Sequence, residues 1–68
     1  SFQIPQDILE ALQADQQTWD NFQRFSDVYK RIRVGYIEEV RSQPKEFQKR
    51  LNNFLQKTQE NKLFGTIE

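Results

Sequence analysis

The residues able to do chemistry in this chain are few, and their types exclude more than they allow. The hydroxyls besides tyrosine are Ser1, Ser26, Ser42, Thr18, Thr58 and Thr66. None can be activated by an imidazole, because the sequence has no His, and it has no Cys to act as nucleophile or thiolate ligand. That removes the usual general base and the ordinary His- or Cys-ligated metal site. Glu38 and Glu39 are the only adjacent carboxylate pair. On a helix, neighbours point ~100° apart, so the two do not converge on one substrate atom. No DxDxDG spacing suggests a calcium loop. Gly35 and Gly65 are too few and too far apart for a phosphate-cradling loop. We therefore expect no catalytic residue, no cofactor and no metal, and the chain reads as a non-enzyme.

Binding chemistry is better represented. The bases Lys30, Arg31, Arg33, Arg41, Lys45, Lys49, Arg50, Lys57 and Lys62 all fall in residues 30–68, which carry a net charge of +4, while residues 1–29 carry −4. A basic second half raises the possibility of a nucleic-acid-binding module. Against it, the acids Glu38, Glu39, Glu46 and Glu60 interleave with the bases, and ten Lys+Arg balance ten Asp+Glu over the whole chain. Glu46–Arg50 and Asp27–Arg31 stand at i,i+4 with the acid first, the favourable order for a helix-surface ion pair. Nucleic acid is thus the alternative reading, and a protein partner the leading one. Arg33, at the edge of an apolar stripe, is a candidate anion contact. The leading expectation for it is nevertheless packing, with its methylenes beside Tyr29 and Ile37 and its head on an acid of the first half, and anion contact is the alternative.

The elements that must position these groups read as helices throughout. At 68 residues the chain is one small domain, 1–68. It opens at Ser1 without Met, as processing, a tag remnant or excision from a longer protein would produce. About a third of the residues are apolar, but nine are aromatic, and each large ring can bury ~150–250 Å². Pro5 and Asp7 suit the first turn of a helix over 5–14. Asp15 and Ser26 suit the caps of helices over 16–24 and 27–42. Gln43-Pro44 breaks the chain again and starts a fourth helix over 44–61.

Ile8, Leu12, Trp19, Phe22, Tyr29, Ile32, Tyr36, Ile37, Leu51, Phe54 and Leu55 fall at core spacing on these helices. On the third helix, Ile32, Tyr36 and Val40 lie within ~60° of Tyr29, which places Val34 among the charges, exposed. Gly35, mid-helix at ~1 kcal/mol relative to Ala, implies close approach of a neighbouring helix. The fold class is all-α: a small bundle of three to four helices with a short apolar C-terminal tail. Val34 and the tail residues Leu63, Phe64 and Ile67 are candidate partner contacts, since apolar side chains rimmed by charge mark protein-binding surfaces. No apolar run reaches the ~20 residues a membrane span needs.

Ile4-Pro5-x-Asp7-Ile8-x-x-Ala11-Leu12 is followed by Trp19 and Phe22, by Ser26-x-x-Tyr29, by Tyr36-Ile37-Glu38 with Val40-Arg41, and by Pro44 and Lys49-Arg50-Leu51. In this order and spacing the chain resembles the C-terminal helical region of the bacteriocin-protection, YdeI/OmpD-associated proteins, over residues 4–51. The resemblance implies a bacterial, cytoplasmic, all-helical domain, often attached to an N-terminal β-rich domain. It implies an accessory or protein-interaction role in stress or bacteriocin protection, and no established reaction. Where family members commonly follow Pro-Glu with Thr-Arg, this chain has Pro44-Lys45-Glu46-Phe47, and Gln43 stands as an extra residue before the proline.

Overall fold

The computed structural model describes residues 3–61. Its element order is α1 (Gln6–Gln13), α2 (Gln16–Gln23), α3 (Asp27–Glu38) and α4 (Pro44–Gln59). Among the described residues there is no strand, so the expected all-α bundle is what the chain forms. The starts of α2, α3 and α4 follow from local chemistry. The Asp15 carboxylate accepts from the Thr18 N–H at 3.0 Å, and the Ser26 hydroxyl accepts from the Tyr29 N–H at 3.1 Å. Each satisfies one of the orphan donors of a helix N-terminus. Pro44 occupies the first turn of α4, where no N–H is needed. Pro5 sits one position earlier than the sequence suggests, as the N-cap of α1.

Helix ends are where the boundaries move. α3 stops at Glu38 and tightens into a turn through residues 39–42. Successive i to i+3 bonds (Arg41 N–H to Glu38 O at 3.0 Å, Gln43 N–H to Val40 O at 2.8 Å) take up its last carbonyls. The turn folds Val40 inward, where it is buried. α4 ends with Asn61 at φ 60°, the left-handed residue that commonly closes a helix.

α4 is the hub of the bundle, packing on α1, α2 and α3, while α1 also packs on α2. The core consists of Ile8 and Leu12 from α1, Phe22 from α2, Tyr29, Val34 and Ile37 from α3, and Leu51 and Phe54 from α4. Phe22 is its aromatic centre, meeting Phe54 edge-on at 6.0 Å and stacking on Trp19 at 5.9 Å. A polar clamp ties α2 to the end of α4. The buried Asn21 amide donates to the carbonyls of Thr58 at 2.9 Å and Gln59 at 3.1 Å, and Gln17 donates to the Gln59 carbonyl at 3.0 Å. These bonds engage carbonyls of the last turn of α4, where the helical ladder runs out of donors.

The main departure from expectation is the rotation of α3. Val34 is buried, at 2% exposure, whereas Val28, Ile32 and Tyr36 are 66%, 49% and 42% exposed. Counting ~100° per residue from Tyr29, the inward arc runs through Ile37 at ~80° to Val34 at ~140°, and Ile32 and Tyr36 fall outside it. Between these positions stand Arg33 and Lys30, both only partly exposed. Their long aliphatic stems line the core while the charged heads stay at the boundary. Gly35 lies on the outer side, where a Cβ would meet nothing within 4 Å. It marks no close helix approach, contrary to the sequence reading.

Candidate functional site

The rotation of α3 turns three apolar side chains outward at i, i+4 and i+8. Val28, Ile32 and Tyr36 form one stripe along the helix, at ~40° steps around it. Arg31 and Arg33 flank Ile32 at ~100° to either side. At the C-terminal end of the stripe, Tyr36 is packed by two guanidinium groups. The Arg50 Cζ lies 3.8 Å from the ring centroid and the Arg33 Cζ 4.7 Å. Arginine over a tyrosine face is an attractive electrostatic arrangement.

Arg50 reaches Tyr36 from α4 because its other contacts hold it there. It is 18% exposed. Its Nη1 donates to the Tyr36 carbonyl at 2.7 Å and to Glu39 at 3.2 Å, and its Nε donates to Glu46 at 3.4 Å. The expected Glu46–Arg50 pair is therefore formed. Partial burial pulls the Arg50 guanidinium down, but Glu39, Tyr36 and Glu46 together outweigh it and hold the group above its ordinary value. Arg41 is raised too, chiefly by Asp7 at 2.6 Å and then by Glu38. Glu38 and Glu39 consequently turn to different arginines and share no substrate position. Of the ion pairs made by Arg41 and Arg50, only Arg41–Asp7 joins the acidic first half to the basic second half.

The sequence-derived contact residues divide three ways. Val34 is removed from the list, because a fully buried valine in contact with the core offers no surface to a partner. Leu63, Phe64 and Ile67 lie outside the described residues. Arg33 is half-buried at the edge of the core, with its guanidinium over Tyr36. Val28, Ile32 and Tyr36 were missed as surface residues because each fits an apolar stripe, and the stripe was assigned to the wrong side. Among the described residues no group of acids could hold a metal ion. No helix among them is long and apolar enough to cross a membrane.

The family model for bacteriocin-protection, YdeI or OmpD-associated proteins (OmdA) matches residues 1–61. The chain belongs to the OmdA family. The match extends past the residues 4–51 that carry the visible resemblance and takes in α4 to its end. Searches of curated proteins and of solved structures found no match. Within this OmdA chain, the outer face of α3 is the surface whose residue types are least explained by folding alone.

Proposed function

We propose that this chain is a non-catalytic helical module of the bacterial cytoplasm that acts by contact with another protein, in the bacteriocin protection named in the family description or in a related stress response. The observation that carries the proposal is the exposed stripe of Val28, Ile32 and Tyr36 on a single helix face. Apolar side chains recurring at helical spacing along one face are how a helix docks against another surface. The occupant is a different protein rather than a second copy. Arg31 and Arg33 border the stripe on both sides, so pairing two such faces in either direction would set arginine against arginine. The complementary surface is apolar along its middle and acidic at its edges, for instance an amphipathic helix flanked by Glu.

A direct test uses two synthetic helical peptides with the same leucine stripe, one flanked by Glu and one by Lys. Fluorescence titration should show the Glu-flanked peptide binding at least tenfold more tightly, and Ile32→Asp should abolish that difference. Equal binding of the two peptides would refute the assignment. Random duplex DNA and RNA form the second arm. Tight binding there, weakening steeply as salt rises, would show release of counterions from several phosphates and establish the nucleic-acid reading instead.

A further inference from the structure

Beside the stripe, between the C-terminal half of α3 and residues 46–53 of α4, lies a cleft of about 210 Å³ lined by Arg33, Tyr36, Glu46, Lys49, Arg50 and Asn53. Small-molecule pockets usually run ~300–1,000 Å³, so this one suits a small group with its ordered water rather than a nucleotide or drug-sized ligand. Its lining is rich in donors. Among the described residues, neither the Lys49 ammonium nor the Asn53 amide nor the Tyr36 hydroxyl has a hydrogen-bond partner, and the Arg50 Nη2 has none either. The one acid in the lining, Glu46, is already engaged by the Arg50 Nε.

Charge sharpens the point. Two guanidinium carbons stand within 5 Å of a single ring centroid, and Lys49 joins them. Glu39 and Glu46 both turn to Arg50. The positive charge of Lys49 has no matching acid in the lining of the cleft. We infer that this cleft binds a small tetrahedral oxyanion, a phosphate group, held by Lys49, Arg50 Nη2, Asn53 and Tyr36.

The geometry selects a phosphate over a carboxylate. A carboxylate is recognised best by a planar fork of two parallel N–H groups on one guanidinium. In Arg50 the Nε is bound to Glu46 and the Nη1 to the Tyr36 carbonyl and Glu39, leaving Nη2 as a single point donor. Separate donors from four side chains suit an anion with acceptor oxygens in several directions. Arg33, over the ring at the cleft wall, adds long-range attraction. The inference does not depend on the docking role of the α3 stripe, although Tyr36 belongs to both.

The test follows backbone amide NMR shifts of the whole chain during titration with inorganic phosphate, methyl phosphate or acetate, at ionic strength held constant with sodium chloride. Phosphate should produce saturating shifts confined to residues 33–36 and 46–53, and acetate should bind at least several-fold more weakly. Methyl phosphate binding as well as the free ion would mark an attached phosphate group as acceptable, and its exclusion would restrict the cleft to the free ion. Lys49→Gln removes a charge-assisted hydrogen bond from an exposed position and should weaken binding about tenfold. Lys57→Gln, on the same helix but outside the cleft, should not. Shifts that never saturate, or an unchanged affinity in Lys49→Gln, would overturn the site. Acetate binding as tightly as phosphate would overturn its tetrahedral preference.

Discussion

The rotation of α3 can be tested by truncating two aliphatic residues of the same helix, two positions apart. Val34→Ala removes the equivalent of two methylenes from a site that is 2% exposed. At ~0.8 kcal/mol per buried methylene this is about 1.6 kcal/mol, and an unfilled cavity, less the helix-propensity gain of Ala over Val, brings the total to about 2 kcal/mol. Ile32→Ala removes more carbon, but from a site 49% exposed. Its smaller burial loss is partly offset because Ala is the better helix former, leaving a net cost of about 0.5 kcal/mol or less. Urea melts of the two variants beside the parent chain separate these values. With a slope near 1 kcal/mol/M for a domain this small, Val34→Ala should lower the midpoint by about 2 M. Ile32→Ala should leave it nearly in place. A larger loss for Ile32→Ala than for Val34→Ala would refute the rotation and restore the face centred on Tyr29, Ile32 and Tyr36.

Three further outcomes are expected. Gly35→Ala adds a Cβ into open space on an exposed helix interior, so it should stabilise by about 0.8–1 kcal/mol in the same melts, and any destabilisation would contradict the placement. Thr58 is fully buried and its hydroxyl has no hydrogen-bond partner among the described residues. Thr58→Val keeps the branched shape without the unpaired hydroxyl and should gain about 1 kcal/mol, whereas a loss would show the hydroxyl to be bonded. Asp7, through Arg41, and Asp15, through the Thr18 N–H, are both held below the carboxylate value of 3.8 in the folded chain. Their stabilisation is therefore present above that value and lost as pH falls through the lower folded one. With no His or Cys, thermal stability should be flat between about pH 5 and 8. It should fall in strong acid, and the double variant Asp7→Asn/Asp15→Asn should show a shallower acid limb; an unchanged limb would remove these two groups as its cause.

What was legible in the sequence was local. Asp15, Ser26 and Pro44 set their helix starts through bonds to residues three or fewer away, or through a ring that needs no partner. α1, α2 and α4 each carry a single apolar stripe, and its direction was read correctly at Ile8, Leu12, Phe22, Leu51 and Phe54. α3 carries apolar residues around most of its circumference, so two faces compete, and helical periodicity cannot choose between them. The choice is tertiary: Val34 and Ile37 fill space shared with α4, and the stems of Arg33 and Lys30 are accepted at its margin. Arg33 at the core edge and Val34 among the charges were the visible signs that the stripe was placed on the wrong side. The Asn21 clamp on the last turn of α4 was not legible at all, because it joins residues 37 and 38 positions apart.

The same rotation produces both surface features proposed for function. Had α3 buried Ile32 and Tyr36, the gain would have been up to ~1.5–3 kcal/mol for each side chain fully removed from water. A 68-residue domain has only ~3–10 kcal/mol of net stability in all. Leaving such side chains half in water is therefore a large sacrifice on the scale of this fold, and α4 does not recover it. Tyr36 regains part through the stacked guanidinium groups, worth ~0.5–1 kcal/mol each at exposed sites. Val28 and Ile32 have no such compensation among the described contacts. Their exposure becomes favourable only when another surface covers them, and the arginines on either side then select which surface that is.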